Sequence, residues 1–207
     1  MTHICVIDYG SGNLHSAAAA LRRAAGDAVH ITSSANDLQE ATHIVLPGVG
    51  AYGDCLAGVN ALPGMRGMLE KRVRQDKVPF LGICVGMQLM LERGHEHGIH
   101  EGFGWIRGEV VPITPTDPSL KIPHMGWNNL TIARPGSATR DIASGDHAYF
   151  VHSYHAQCAD KNDVIATVDY GGELTAMIGK GTMFGTQFHP EKSHKTGDLV
   201  LRNFIAL

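Results

Sequence analysis

Apolar residues run almost unbroken through "HICVIDY" (3–9), "HIVLP" (43–47) and "VPFLGI" (78–83). Short, β-branched and bounded by turn residues, these runs predict buried strands. Between them the period lengthens. "GNLHSAAAALRRAAG" (12–26) is alanine-rich, places Arg22 and Arg23 near its end and stops at Gly26, the signature of a helix. "AVHI" predicts a short strand and "ANDLQEA" a short helix. Helical material is predicted from about Cys55 to Arg74, and "VGMQLMLERG" (85–94) as a helix ended by glycine. The loop "GVGAYGD" follows the strand 43–47.

Beyond Gly104 the character changes. "GWIRGEVVPI", "HMGWNNLTI", "AYFVHSY", "VIATVDY", "LTAMIG" and "TMFGTQF" are strand-like runs separated by proline and glycine signals, and a last helix is expected at roughly 196–206. Strands alternating with helices point to a parallel sheet covered on both faces. The expectation is one α/β domain over residues 1–207: a mixed, mostly parallel sheet flanked by helices, with an antiparallel extension. No internal repeat or linker interrupts it.

Composition narrows the function classes. Of 207 residues, 43% are hydrophobic and 18% charged, which suits a globular chain rather than a disordered one. A formal net charge of −3 gives no electrostatic case for nucleic acid or an anionic membrane. No apolar run reaches the ~18 residues of a membrane span. The start "MTHICVIDYG" reads as a first strand and not as a signal peptide. Four cysteines without a CxxC pair then imply reduced thiols and a cytoplasmic setting. Cys5 and Cys158, among apolar or small neighbours, read as small buried hydrophobes.

Cys84 differs. Gly82-Ile83-Cys84-Val85-Gly86 has the form G-x-C-x-G at a strand-to-helix junction. Its serine analogue, G-x-S-x-G, is the strained elbow that presents a nucleophile at a sheet edge. A helix beginning at Val85 would favour thiolate and offer the Val85 N–H to an oxyanion. The short pattern also fits a buried cysteine at a tight packing point. A nucleophilic cysteine needs a base. In "FGTQFHPEKS" a strand delivers His189, Pro190 keeps the backbone extended, and Glu191 projects to the same side to hold the imidazole. An ordinary surface turn is the alternative. Gln88 stands one helical turn after Cys84 and can look back into the same pocket. The glycines of "LPGVGAYGD" could turn main-chain N–H groups inward as oxyanion donors, although a plain turn between strand and helix is the commoner fate of such a loop. "GHEHGIHEG" (94–102) fits no standard metal spacing and reads as a solvated loop; "GSGN" (10–13) lacks both phosphate-binding signatures.

Together "GICVGMQLM", "HPEKS" and "LPGVG" resemble a class I (triad-type) glutamine amidotransferase domain over essentially the whole chain. "IDYGSGNL", "PHMGWN" (123–128) and "FVHSYH" (150–155) narrow this to chains that look like the glutaminase subunit of imidazole glycerol phosphate synthase, from histidine biosynthesis. The resemblance implies a flavodoxin-like fold and a triad of Cys84 as nucleophile, His189 as base and Glu191 as its orienter. It implies oxyanion contacts from Gly48, Val49, Gly50 and Val85, and a pocket for L-glutamine lined by Gln88, Ser153 and Tyr154. It further implies a heterodimer with a (βα)8-barrel cyclase subunit, reached through Asn13, His124, Met125, Gly126, Trp127 and Lys192, with ammonia passed between the two. No metal or organic cofactor is implied. The histidine-rich loop 95–100 and His155 are local oddities. Other triad glutaminases, serving pyridoxal phosphate synthesis or GMP synthesis, lack the "PHMGWN" and "IDYGSGNL" signals. A partner-free hydrolase of γ-glutamyl peptides and a catalytically dead interaction module are the remaining readings, and an intact triad opposes the second.

Overall fold

The computed structural model describes residues 2–10 and 13–207. The strands β1 (Ile4–Ile7), β2 (Val29–Thr32), β3 (His43–Gly48) and β4 (Phe80–Cys84) belong to one nine-stranded sheet. Every residue of β1, β3 and β4 is buried, which is why these strands appear as continuous apolar runs. Helix α1 (Leu14–Ala25) is capped at Gly26, whose N–H donates to the Arg22 carbonyl at φ +67°. Its buried stripe is Ala17, Ala18, Ala20 and Leu21. Helix α2 (Tyr52–Ala61) begins three residues before the predicted Cys55. A turn at 62–64 then separates it from α3 (Met65–Leu69), which runs on as a wider π-helical turn through Glu70–Gln75. The segment Ala35–Gln39, predicted as a short helix, is a 3₁₀ turn.

The predicted helix 85–94 is corrected. Helix α4 is one turn, Val85–Gln88, and the chain becomes β5 (Leu91–Gly94) two residues later. The reason is long-range. The carbonyls of Leu89 and Met90 accept from Phe103 and Trp105 N–H at 2.7 and 2.9 Å, and Leu91 accepts from Gly104. Partners distant in sequence thus consume the acceptors a longer helix would have used. β5, β6 (His100–Glu101), β7 (Ile106–Pro112) and β10 (Tyr154–Cys158) form a second, four-stranded sheet in the order β10-β7-β5-β6. The loop 94–102 is therefore partly built into structure: His100 and Glu101 are a strand, and Glu96 accepts the Tyr52 N–H at the start of α2 at 2.7 Å.

The remaining strands are β8 (His124–Ile132), β9 (His147–His152), β11 (Val164–Asp169), β12 (Glu173–Lys180) and β13 (Met183–Thr186), and helix α5 (His194–Ile205) closes the chain. The large sheet runs β2-β1-β3-β4-β13-β12-β11-β8-β9. Its first five strands are parallel and the pairings from β13 through β9 are antiparallel. β8 alternates exposed and half-buried positions along much of its length, as a strand with one wet face should. The carboxyl ends of β3, β4 and β13 lie side by side, with Gly48 opposite Cys84 and Thr186 opposite Ile83. Among the described residues no helix is long and apolar enough to cross a membrane.

Candidate active site

Cys84 ends β4, which lies between the parallel strands β3 and β13, and caps α4 at φ +53°, ψ −111°. Non-glycine residues seldom hold positive φ without a functional reason. The turn fits only because its neighbours are small. A methyl group on Gly86 would overlap the Leu46 carbonyl oxygen, and one on Gly82 would sit 2.5 Å from the Gly86 carbonyl oxygen. The flanking glycines thus let the elbow press against β3 and against itself.

One strand over, the extension of β13 delivers His189. Its Nδ1 is 2.9 Å from Glu191 Oε1, and both side chains are almost fully buried, at 3% and 2% exposure. Three bonds clamp the His189 backbone to β9. His189 N–H donates to the Tyr149 carbonyl at 3.0 Å, Tyr149 N–H donates to Ser193 Oγ at 2.9 Å, and that hydroxyl donates to the His189 carbonyl at 2.7 Å. The antiparallel wing therefore fixes this imidazole. Asn13 Nδ2 also donates to Glu191 Oε1, at 3.4 Å. Nε2 of His189 is buried and shares a cavity with Cys84. Burial alone would lower the basicity of this imidazole. The adjacent Cys84 sulfur and then the Glu191 carboxylate outweigh it and push the pKa up to about 9. The group is thus built to carry a proton near neutrality.

The cavity, about 310 Å³, is lined by Cys84, Val85, Gln88, His189, and by Val49 and Gly50 of the loop after β3. Ser153 and Tyr154, expected in the pocket, line it as well, and so does Lys192, expected at the partner surface. Gly48, adjacent to the cavity-lining Val49, abuts the elbow: a methyl there would lie 2.6 Å from Gly86 N. Gly50 holds φ +94°, a conformation natural to glycine. The Val49 carbonyl accepts from the Cys55 thiol at 3.3 Å.

Four lining residues were not expected there: Glu96 lies in the stretch expected to be a solvated loop, Pro123 in "PHMGWN", and Val151 and His152 in "FVHSYH". Gln187 was missed too. Completely buried, it joins Gln88 to the Cys84 sulfur. A glutamine two residues before His189, on the same side of an extended chain, was the available signal.

The residues expected at a partner surface divide. Met125 and Trp127 are exposed, at 58% and 48%, and Trp127 packs edge-on against His194 and Tyr149. Lys192 sits at the cavity with Nζ 5.7 Å from the Tyr149 ring centre. Gly126, between the two exposed side chains, is half-buried at φ +133°. His124 does not face outward. It is buried, stacked between Phe150 and Tyr170, with its Nδ1 2.9 Å from His152 Nε2. Asn13 is half-buried against Glu191. Burial holds His124 and His152 neutral, pushed down to about 4 and about 3. Among the described residues no three His, Cys, Asp or Glu side chains are grouped to hold a metal ion, and the histidine-rich loop instead spends His95 on Glu109, 2.7 Å away.

A cysteine on a strained elbow, a buried histidine–carboxylate pair and a glycine loop on one sheet edge define a class of thiol-dependent acyl-transfer sites. The chain belongs to the family described as glutamine amidotransferase class-I, which it matches over residues 5–207. It is 51% identical over 210 residues to the imidazole glycerol phosphate synthase subunit HisH of Agrobacterium fabrum, covering 98% of this chain and 97% of that one. It is 50% identical over 204 residues to the protein of the same name from Cereibacter sphaeroides, covering 97% and 96%. Two solved structures share the fold at low identity. PurLQS from Thermotoga maritima superposes with a TM-score of 0.76 at 20% identity over 99% of this chain and 98% of that one. A crystallised glutamine amidotransferase gives 0.75 at 16%, over 98% and 97%.

Proposed function

We propose that this chain is the glutaminase subunit of an imidazole glycerol phosphate synthase, acting in the cytoplasm in histidine biosynthesis. The single observation that carries the chemistry is the buried His189–Glu191 pair beside Cys84 on its positive-φ elbow. The near-full-length identity of about half to the HisH subunits supports the specific reaction.

Cys84 thiolate adds to the side-chain amide carbon of L-glutamine. The carbonyl oxygen becomes an oxyanion, received by the Val85 N–H and by main-chain N–H groups of the loop 48–50. Protonated His189 gives its Nε2 proton to the departing nitrogen, and ammonia leaves as the carbon–nitrogen bond breaks. The resulting γ-glutamyl thioester is attacked by water, from which neutral His189 now takes a proton. Glutamate departs and the thiolate–imidazolium pair is restored. Glu191 accepts from Nδ1–H throughout, fixing the tautomer that leaves Nε2 free for this traffic. Gln88, Ser153 and Tyr154 hold the substrate, and Glu96 is the cavity's carboxylate for its α-ammonium group.

Ammonia released into water is protonated and lost, so the product is passed directly to a (βα)8-barrel cyclase subunit in a heterodimer. The exposed Met125 and Trp127 supply the apolar part of that contact, beside Lys192 at the cavity. Hydrolysis without an acceptor is wasteful, and a peptide flip at Gly48-Val49-Gly50 would present or withdraw one oxyanion donor. Such a donor is worth ~3–4 kcal/mol, or about 10²–10³ in rate. The deciding measurement is the steady-state glutaminase rate of the chain alone, with the cyclase, and with the cyclase loaded with its ribotide ligand. Turnover should rise by at least ~10²-fold with the loaded partner. Full activity in the isolated chain would instead favour a partner-free γ-glutamyl hydrolase.

A further inference from the structure

The Tyr154 carbonyl can only accept, and it accepts twice: from Gln88 Nε2 at 3.1 Å and from His152 Nδ1 at 2.9 Å. This one backbone oxygen orients both side chains that donate to it. Gln88 must turn its amide nitrogen inward, and that nitrogen's second hydrogen goes to Gln187 Oε1 at 3.1 Å. Gln187 is then forced to point its own nitrogen the other way, where Nε2 meets Cys84 Sγ at 3.6 Å. Flipping either glutamine would set donor against donor or acceptor against acceptor in a buried space. On the other side, His152 uses its Nδ1 hydrogen on Tyr154, so its Nε2 accepts from His124 Nδ1. Asn128 Nδ2 closes that branch at His124 Nε2, 3.3 Å away. The Gln88 donors are thereby spent on protein, and only its acceptor oxygen remains for the cavity.

We propose that Gln187 is a positioning residue for this chemistry, resting on the glutaminase reading. Its N–H, held toward the sulfur by Gln88, favours the Cys84 thiolate and fixes the direction in which that sulfur presents its lone pairs. The same side chain, through its oxygen, locks Gln88 against the substrate pocket. Its own placement is rigid: the Gln187 N–H donates to the Ala176 carbonyl at 2.8 Å, and the residue is fully buried. The two ends of the amide thus serve two different steps, nucleophile and substrate, and substitutions can separate them.

Alkylation of Cys84 by iodoacetamide, followed by the mass of the peptide containing it, reads the reactive thiolate without glutamine. An ionised Glu at 187 keeps an acceptor for Gln88 but faces the sulfur with negative charge. Gln187→Glu should slow alkylation at pH 7 by ~10-fold or more and displace the rate–pH curve to higher pH. Its glutaminase kcat should fall at least as far, with KM within ~3-fold of wild type, since Gln88 is still held. Gln187→Met loses both ends, so it should slow alkylation and raise KM together. Rate–pH curves that superimpose on wild type in both variants would overturn the proposal. If neither variant folds, Gln88→Met leaves Gln187 in place without its orienting donor; slower alkylation is then expected, and an unchanged rate overturns the idea. If the wild-type chain fails to hydrolyse glutamine even with the loaded cyclase, while the variants still show these alkylation shifts, the glutaminase reading sinks and the positioning role stands.

Discussion

The carboxyl edge of the parallel strands and the antiparallel wing contribute to one cavity in opposite ways. The parallel edge supplies strain and charge. Cys84 sits at positive φ between abutting glycines, and His189 and Glu191 form a charge pair with almost no solvent. The antiparallel wing supplies neutral, satisfied polar groups and an exposed apolar face. His124 and His152 are held neutral by burial, and Met125 and Trp127 face outward, while the Tyr154 carbonyl that orients both glutamines comes from β10 of the second sheet. The first region requires rigidity, because strained and charged groups survive burial only where packing determines them. The second can meet a partner, since strand β8 has one solvent-facing side and β9 at the sheet border.

That division predicts graded consequences. Cys84→Ala should remove glutamine hydrolysis by roughly 10⁴-fold or more. In the assembled enzyme it should spare cyclisation driven by added ammonium, because the wing and its face are untouched. Loss of both activities in the same proportion would erase the division. Glu191→Gln keeps the shape of the pair but not its charge, and turnover should drop by about 10²–10⁴-fold; wild-type turnover for Glu191→Ala would deny the carboxylate its role as orienter.

The charge pair also predicts a pH dependence of stability. His189 is pushed up to about 9 from an ordinary value of 6.5. A raised histidine stabilises the fold fully below its unfolded value, and that contribution fades as pH climbs through the folded value. Denaturant midpoints should therefore decline between about pH 6.5 and 9, and the decline should shrink in Cys84→Ala, where the larger source of the upward push is gone. A flat profile in the unmodified chain would show that the pair is not charged.

Gly86→Ala should cost ~3 kcal/mol or more, because the added methyl meets backbone that cannot retreat. Equilibrium unfolding checks this, and a cost under ~1 kcal/mol would mean the elbow is looser than its packing implies. Smallest of all, Trp127→Ala should alter the stability of the isolated chain by no more than ~1 kcal/mol while weakening cyclase binding by ~10-fold or more. Unchanged affinity in a titration calorimeter would move the partner surface off the wing.

What the sequence determined by itself was everything with a local cause. Continuous apolar runs mark β1, β3 and β4 because strands buried on both faces need no polar alternation. G-x-C-x-G marks the elbow because only glycine leaves room for backbone to meet backbone. His-Pro-Glu marks the pair because a single residue separates imidazole and carboxylate, although Pro190–Lys192 is a 3₁₀ turn and not the extended backbone expected; the turn brings Glu191 back onto His189 Nδ1. What tertiary structure decided was everything whose cause lies far along the chain. Helix α4 stops after one turn because residues 103–106 take its next acceptors, which no helix propensity in "VGMQLMLERG" could reveal. Glu96 comes to the cavity because β5, β6 and β7 gather into a second sheet. His124 turns inward while Met125 and Trp127 turn out, because the face that β8 buries is set by its pairing with β9 and β11. Gln187 acquires a role only when a carbonyl 33 residues earlier fixes Gln88, which lies 99 residues away from it in sequence. Hydrogen-bond direction is a property of such closed networks, and it exists only once the chain has folded.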